Sequence, residues 1–372
     1  MKIIEGKYTS AKIYANDIFD GVIEQTLNIC NHPIFKDCKV RIMPDCHEGK
    51  GCTIGFTSTL PQNGEIIPNI IGVDQSCGMH VVKLKKSKTL NDYKKLDKVI
   101  RQNIPSGLRG RKAISNLAPE ELKEEVIRYN KDYLKRGAND DLLKIGSLGS
   151  GNHFISIEKG ESGTYLIIHS GSRDFGNKMA VYFQMKAIET NLYMEGELKQ
   201  LSYLTDDDAL EYLKCAKVCK EYSHYSRMIM AQEIMDNMNW KAEETFETVH
   251  NYIGEDSIIR KGAISAKRNE KVLIPINMAY GSFIAVGYGN SDWNNSAPHG
   301  AGRLFSRTKA KETLTMQDFK KSMEGIYSTC ISTGTLDESP MAYKNGDEIK
   351  ELITPTAEII DHLFPLYNFK AS

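Results

Sequence analysis

The sequence predicts an α+β protein folded as one interleaved domain over residues 1–372. Runs with strand character, separated by glycine-rich turns, recur near the start, in the middle and again after residue 270. Helix-length segments with apolar periodicity fill the stretches between them. No internal repeat, low-complexity tract or Pro/Ser linker divides the chain, so a single domain is favoured over two.

In chain order, residues 39–43 and 53–57 read as strands around the turn Asp45-Cys46-His47-Glu48-Gly49-Lys50-Gly51. Helices are expected at 92–103 and 119–136, the second opening on Pro119-Glu120-Glu121, a composition suited to a first helical turn. Residues 153–157 and 164–168 return to strand character. A helical region follows over 177–238, interrupted near 201–208. Two further strands are expected at 272–276 and 282–286. The end of the chain reads as helix at 302–311, a strand-like run at 325–332 and helix at 354–363.

Hydrophobic residues make up 41% and charged residues 26% of the chain, as in a soluble globular protein. No stretch approaches the roughly 18–20 apolar residues of a membrane helix. The N-terminus lacks a basic start followed by an apolar run, so the expected compartment is the cytosol. Eight cysteines, none in a CxxC pair, then read as reduced thiols and metal ligands rather than disulfides. Lys plus Arg equals Asp plus Glu at 48 each, which excludes a global basic field; nucleic acid would be met by a local patch. The basic runs 83–88 and 108–112 read first as solvated surface.

Chemistry concentrates in turns. Five of the nine histidines lie in Asp45-Cys46-His47-Glu48-Gly49, Gly149-Ser150-Gly151-Asn152-His153, His169-Ser170-Gly171-Ser172-Arg173, Val249-His250-Asn251-Tyr252 and His299-Gly300-Ala301-Gly302-Arg303. A sixth turn, Asp74-Gln75-Ser76-Cys77-Gly78-Met79, adds a carboxylate and a thiol. Glycine allows close approach to a phosphate, and backbone N–H, Ser, Asn and Arg supply donors for its oxygens. Carboxylate, thiolate and imidazole together suit a divalent transition metal, and an imidazole left free can attack phosphorus. The combination points to metal-assisted phosphoryl or nucleotidyl transfer. A structural zinc site usually draws its ligands from one or two loops, whereas these are scattered over most of the chain.

The ordered series Pro-Asp-x-His-x-Gly-Lys-Gly at Pro44, Asp-x-x-Cys-Gly-Met at Asp74, Gly-x-Gly-Asn-His-Phe at Gly149, His-Ser-Gly-Ser-Arg at His169, Val-His-Asn-Tyr at Val249, Arg-Lys-Gly-Ala-Ile at Arg260 and His-Gly-Ala-Gly-Arg at His299 resembles the RtcB family of RNA-splicing ligases. The resemblance implies mixed β-sheets around a central metal and nucleotide cleft. It also implies an enzyme that seals an RNA 3′-phosphate or 2′,3′-cyclic phosphate to a 5′-hydroxyl with GTP and manganese. By that resemblance Asp74, Cys77, His153, His169 and His250 hold two Mn²⁺ ions, with Cys77 bridging. His299 is the nucleophile that accepts GMP, and Asp45 orients its ring. Asn152, Asn251, Arg173, Arg303 and Arg307 contact triphosphate or RNA phosphates, and Phe154, Ser282, Tyr343 and Lys370 line the guanosine pocket. An archease-like activator is the partner protein such a ligase raises.

Two positions depart from the family pattern. Gln75-Ser76 stands where Ile-Gly is usual, with the spacing of Asp74 and Cys77 kept, and Ser156 stands where a glutamate commonly reads the guanine edge. If 153–158 is a strand, Glu158 shares the face of Ser156 but stands about 6–7 Å further along, so a weaker preference for GTP over ATP is expected. Other candidates read as blander. Cys215 and Cys219 look like buried helix-face thiols, His80 and His224 like ordinary histidines, and His47 like a loop support. The rival functions are a manganese-dependent phosphoesterase that opens cyclic phosphates, and a non-catalytic RNA-end-binding protein.

Overall fold

A computed structural model describes residues 1–371. The chain begins with strands β1 (Lys2–Glu5) and β2 (Ser10–Ile13), helix α1 (Asp20–Cys30), and strands β3 (Val40–His47), β4 (Ile54–Thr59) and β5 (Gly78–Leu84). Helices α2 (Tyr93–Asn103), α3 (Glu120–Asp132) and α4 (Asn139–Lys144) follow, then β6 (Phe154–Lys159), β7 (Thr164–Ser170), α5 (Arg173–Thr190) and α6 (Asp206–Met238). Strands β8 (Ala242–Val249), β9 (Tyr252–Ile253), β10 (Ile258–Lys261), β11 (Ala263–Ser265), β12 (Lys271–Asn277), β13 (Gly281–Gly287) and β14 (Ser296–Pro298) come next. Helices α7 (Arg307–Thr313), α8 (Met316–Ser322) and α9 (Gly346–Leu352) precede the long terminal strand β15 (Ala357–Lys370).

The main sheet has seven strands in the order β12-β13-β15-β6-β7-β5-β8, every neighbouring pair antiparallel. Its two edges approach each other, and the backbone N–H of Leu273 on β12 donates to Thr248 Oγ1 on β8 at 2.9 Å, so the sheet curls toward closure. Strand alternation assigns its two faces. Ile155, Ile157, Leu166 and Ile168 bury against Met230, Ile234 and Met238 of α6. Phe154, Ser156 and Glu158 of β6 therefore point to the concave side, with His169 of β7 beside Phe154. A second sheet, β1-β2-β3-β4-β10-β9, carries Asp45 on β3, and a ribbon of β11 and β14 leads to His299.

The sequence places most elements within a few residues. Asp92 caps α2 by accepting from the Lys95 N–H at 3.0 Å, and Pro119 occupies the N-cap of α3. The long helical region divides after Thr190 and resumes at Asp206. Three terminal expectations are corrected. Residues 354–363 are not helical: from Ala357 onward they form β15, which pairs with β13 over Ala357–Leu363 and with β6 over Phe364–Lys370. Ile359, Ile360 and Leu363 mimic helical spacing, but the ladder to β13, continued from Phe364 by the one to β6, outweighs that local preference. Residues 325–332 form turns rather than a strand. Only Tyr327 bridges to Tyr367, and Ser328 and Thr329 bond locally or to Asp97. The helix expected at 302–311 starts only at Arg307, capped by Ser306, because Gly302 takes φ +74°. No helix among the described residues is long and apolar enough to cross a membrane.

Candidate active site

Asp45 lies at the end of β3, fully buried, and His299 follows β14 from the opposite side. Asp45 Oδ2 accepts from His299 Nδ1 at 2.7 Å and from the backbone N–H groups of His299 (3.1 Å) and Gly300 (3.2 Å). A carboxylate only accepts, so Nδ1 carries the proton and the lone pair of Nε2 faces away from Asp45. Gly302 makes this approach feasible. At φ +74° it lies against the Asp45 backbone, where a Cβ would overlap the carbonyl. His47 also borders the space, its Nδ1 3.1 Å from the Asp45 carbonyl, and burial holds its ring at a pKa of about 4, so it is neutral.

Next to His299, at a ring separation of 4.9 Å, His250 opens a cluster of metal-ligand type. Cys77 Sγ lies 3.1 Å from His169 Nε2 and 3.3 Å from His153 Nε2, and His153 Nε2 lies 3.3 Å from Asp74 Oδ2. The donors form two overlapping triads, Cys77–His169–His250 and Asp74–Cys77–His153, that share the thiol. The Nδ1 atoms of His153 and His169 sit 2.8 Å and 3.1 Å from the carbonyls of Leu148 and Asn152. Carbonyls only accept, so these contacts fix both Nδ1–H tautomers and leave Nε2 as the ligating atom. His250 Nδ1 is buried without a partner. Without a cation, burial pushes the Cys77 thiol well above its usual range, aided by the Asp74 charge, and holds His169 and His250 well below theirs. Soft and hard donors crowded this closely, one imidazole nitrogen unsatisfied, fit divalent transition-metal binding.

Arg227 of α6 supports the cluster from behind. Fully buried, it donates to the carbonyls of Ser76 (3.0 Å) and Ser170 (2.8 Å), each adjacent to a candidate ligand. Its charge is met by Glu247, which also binds His80 and His224. Sequence reading missed Arg227 because it sits in a plain helical stretch with no motif around it. The Cys215 and Cys219 thiols are buried on the same helix, as expected.

A cavity of about 520 Å³ opens over His299 and the metal cluster. Of the predicted residues, Asp74, His169, His250, Asn152, Phe154, Asn251, Ser282, His299, Arg303, Arg307, Tyr343 and Lys370 line it. Asp45, Cys77 and His153 are buried off its lining. Arg173 is also off it: its guanidinium donates to the Gly107 carbonyl at 2.6 Å and packs against Gly149, where no Cβ would fit. The Asn251 amide ties loops together, donating to the Asp74 carbonyl (3.0 Å) and accepting from Gly262 N–H (2.8 Å).

One acid organises the far wall. Glu338 accepts from Lys370 Nζ (2.7 Å), Tyr343 Oη (2.7 Å) and Arg303 (3.1 Å), with Arg307 at 3.0 Å. Burial raises its carboxyl, but the charges of Lys370 and Arg307 hold it at about 2. Four predicted residues thus converge on an acid the sequence reading did not single out, since nothing in Leu336-Asp337-Glu338-Ser339 separates it from surface acids. Glu158, expected to reach the base only poorly, also lines the cavity.

Residues 25–371 match the family model for tRNA-splicing ligase RtcB. The chain is 30% identical over 378 aligned residues to the RNA-splicing ligase RtcB of Escherichia coli, covering 91% of each chain. It is 24% identical over 440 residues to the tRNA-splicing ligase RtcB of Methanococcus maripaludis, covering 95% of this chain and 91% of that one. To the tRNA-splicing ligase RtcB of Nanoarchaeum equitans it is 25% identical over 443 residues, covering 93% and 91%. Both archaeal alignments exceed the 372 residues of this chain, so those relatives carry insertions relative to it. With its motif residues gathered around one cavity and the family model spanning nearly its whole length, the chain belongs to the RtcB family.

Proposed function

We propose that this chain, folded as one catalytic domain, joins RNA 3′-phosphate or 2′,3′-cyclic phosphate ends to 5′-hydroxyl ends in the cytosol, with GTP as cosubstrate and manganese as the metal. That it is an RNA ligase follows from its family; the end chemistry, nucleotide, metal and compartment are the proposed parts. One observation carries the reading: His299 is oriented by Asp45 with Nε2 free, in the same cavity as the Cys77-centred donors.

Asp45 holds the His299 ring and stabilises the charge it develops as Nε2 attacks the α-phosphorus. A P–N bond forms, the α–β P–O bond breaks, and pyrophosphate leaves. An oxygen of the RNA 3′-phosphate then attacks the same phosphorus, breaking the P–N bond and giving RNA capped by a diphosphate-linked guanosine. Finally the 5′-hydroxyl attacks the 3′ phosphorus, loses its proton and expels GMP. A cyclic phosphate is first opened by water. Asp74, Cys77, His153, His169 and His250 would hold two Mn²⁺ ions, which supply charge neutralisation for the triphosphate and the leaving groups. Asn152 and Arg307, on the cavity wall, would meet phosphate oxygens, and an archease-like activator would serve as partner.

The test is incubation with Mn²⁺ and α-labelled GTP, looking for an acid-labile GMP adduct, followed by ligation of a 3′-phosphate to a 5′-hydroxyl RNA. A phosphoesterase or an RNA-end-binding protein gives no adduct, and that result would overturn the proposal.

A further inference from the structure

Three buried polar atoms on the concave wall have no partner among the described residues: Glu158 Oε2, Ser282 Oγ and Asn368 Oδ1. They come from the strands β6, β13 and β15, which are adjacent in the sheet, and all three residues line the cavity that holds His299. Their exposures are 3%, 1% and 3%. Desolvated polar atoms left unpaired are rare in folded proteins, and a set of them facing one cavity marks where a ligand supplies the missing bonds. Burial pushes the Glu158 carboxyl up to about 7, with the nearby Ser282 hydroxyl, which makes no well-formed hydrogen bond to it, and the bonded Ser156 hydroxyl pulling the other way.

Ser156 takes a supporting part. Its hydroxyl donates to Glu158 Oε1 at 2.9 Å, which holds the carboxyl in place and leaves Oε2 toward the cavity. The serine thus holds in place an acid two residues on that lines the cavity, a residue from which only poor reach was expected.

We propose that Glu158, held by Ser156 and flanked by Ser282 and Asn368, is the base-reading residue of this cavity and selects a guanine edge. The inference rests on the proposed nucleotidyl transfer to His299 and adds which residue chooses the base. A carboxylate and an amide oxygen are acceptors, so the ligand edge must present donors in a row, with a further group for a hydroxyl that either donates or accepts. Guanine offers N1–H and N2–H₂ side by side, with O6 next to them. Adenine would turn the N1 lone pair toward the carboxylate, and uracil has one donor between two acceptors. Phe154, on the same strand face, gives the base an aromatic neighbour. Lys370 does not compete for Glu158, because Glu338 holds its ammonium at 2.7 Å.

The experiment compares adduct formation on His299 with GTP, ITP and ATP in Mn²⁺, for the natural protein, Glu158→Gln and Ser282→Ala. Inosine lacks only the N2 amine. The natural protein is expected to favour GTP over ATP by about 100-fold or more and over ITP by about tenfold, since charge-assisted bonds carry the choice. In Glu158→Gln both ratios should fall toward one. Ser282→Ala, which removes only a hydroxyl, should lower the rates with GTP and ITP alike. A merely structural effect of either substitution would slow all nucleotides equally and leave the ratios unchanged. Unchanged ratios in Glu158→Gln, with adducts still forming, overturn this inference alone. No adduct with any nucleotide in the natural protein overturns the function proposed above and this inference with it.

Discussion

The carboxylate of Asp45 makes three contacts with two consecutive residues, His299 Nδ1 at 2.7 Å and the backbone N–H groups of His299 and Gly300, through a single oxygen. One acid thus fixes the imidazole tautomer and the backbone that carries it. Asp45→Asn keeps an acceptor but loses the charge that stabilises the developing imidazolium. Adduct formation with GTP should slow by about 100-fold. His299→Ala should form no adduct, yet seal an RNA already carrying a 3′ diphosphate-linked guanosine. Normal labelling of His299→Ala would move the nucleophile elsewhere.

Cys77 belongs to both donor triads, so its loss should disturb both metal positions. The natural protein is expected to bind about two equivalents of Mn²⁺, and Cys77→Ser at most one, with ligation abolished. Because serine fits the same buried space, the metal-free melting temperature should stay within a few degrees. Metal content after gel filtration checks this, and two tightly held ions in Cys77→Ser would contradict the shared-thiolate assignment.

Glu338 neutralises a buried lysine, since Lys370 and Glu338 are only 4% and 2% exposed. Glu338→Gln should destabilise the protein by about 3–5 kcal/mol, the range for stranding one partner of a buried pair. The sign with pH follows from a carboxyl held at about 2 against an ordinary 4.5. Its contribution is present above pH 4.5 and lost as the pH falls toward 2. Denaturant unfolding of the natural protein and the variant should therefore diverge near neutrality and converge in acid.

Glu158 titrates in the opposite sense, since burial raises its carboxyl from 4.5 to about 7. A guanine edge requires the ionised form, whereas the protonated acid can donate to N1 of adenine. Facing it are the Ser156 and Ser282 hydroxyls and Asn368, while Lys370 and Glu338 on the same wall satisfy each other. The ratio of GMP to AMP affinity, measured by calorimetry without metal, should rise between pH 6 and 8 in the natural protein and stay flat in Glu158→Gln. A flat ratio in both would separate Glu158 from base selection.

Gly302 holds φ +74° with its Cα against the Asp45 backbone. Gly302→Ala places a Cβ into that carbonyl and should cost about 1–3 kcal/mol of stability. It should also impair His299 labelling, because the loop that carries His299 must shift. Calorimetric melting and adduct yield measured together check both parts.

Local pattern alone sufficed for the α+β class, the helices around residues 92–103 and 119–136, and the strands around 153–157 and 272–286, because each carries its own periodicity and caps. The ordered Gly/His turns likewise picked out the Cys77-centred donors and His299 that the fold brings together, since tight turns and ligand-type side chains are written in contiguous residues. What the chain could not show locally was decided by pairing over long distances. Residues 357–370 became a strand because β13 supplies hydrogen bonds along 357–363 and β6 along 364–370, overriding a helical spacing that is purely local. Glu338 became the centre of the far wall only when Arg303 and Lys370 arrived from other segments to join the local Tyr343. Glu158 likewise reaches the cavity because Ser156 anchors one oxygen while the curled sheet brings Ser282 and Asn368 alongside. A carboxylate's role depends on which charges and donors surround it after burial, and most of those neighbours lie tens to hundreds of residues away along the chain.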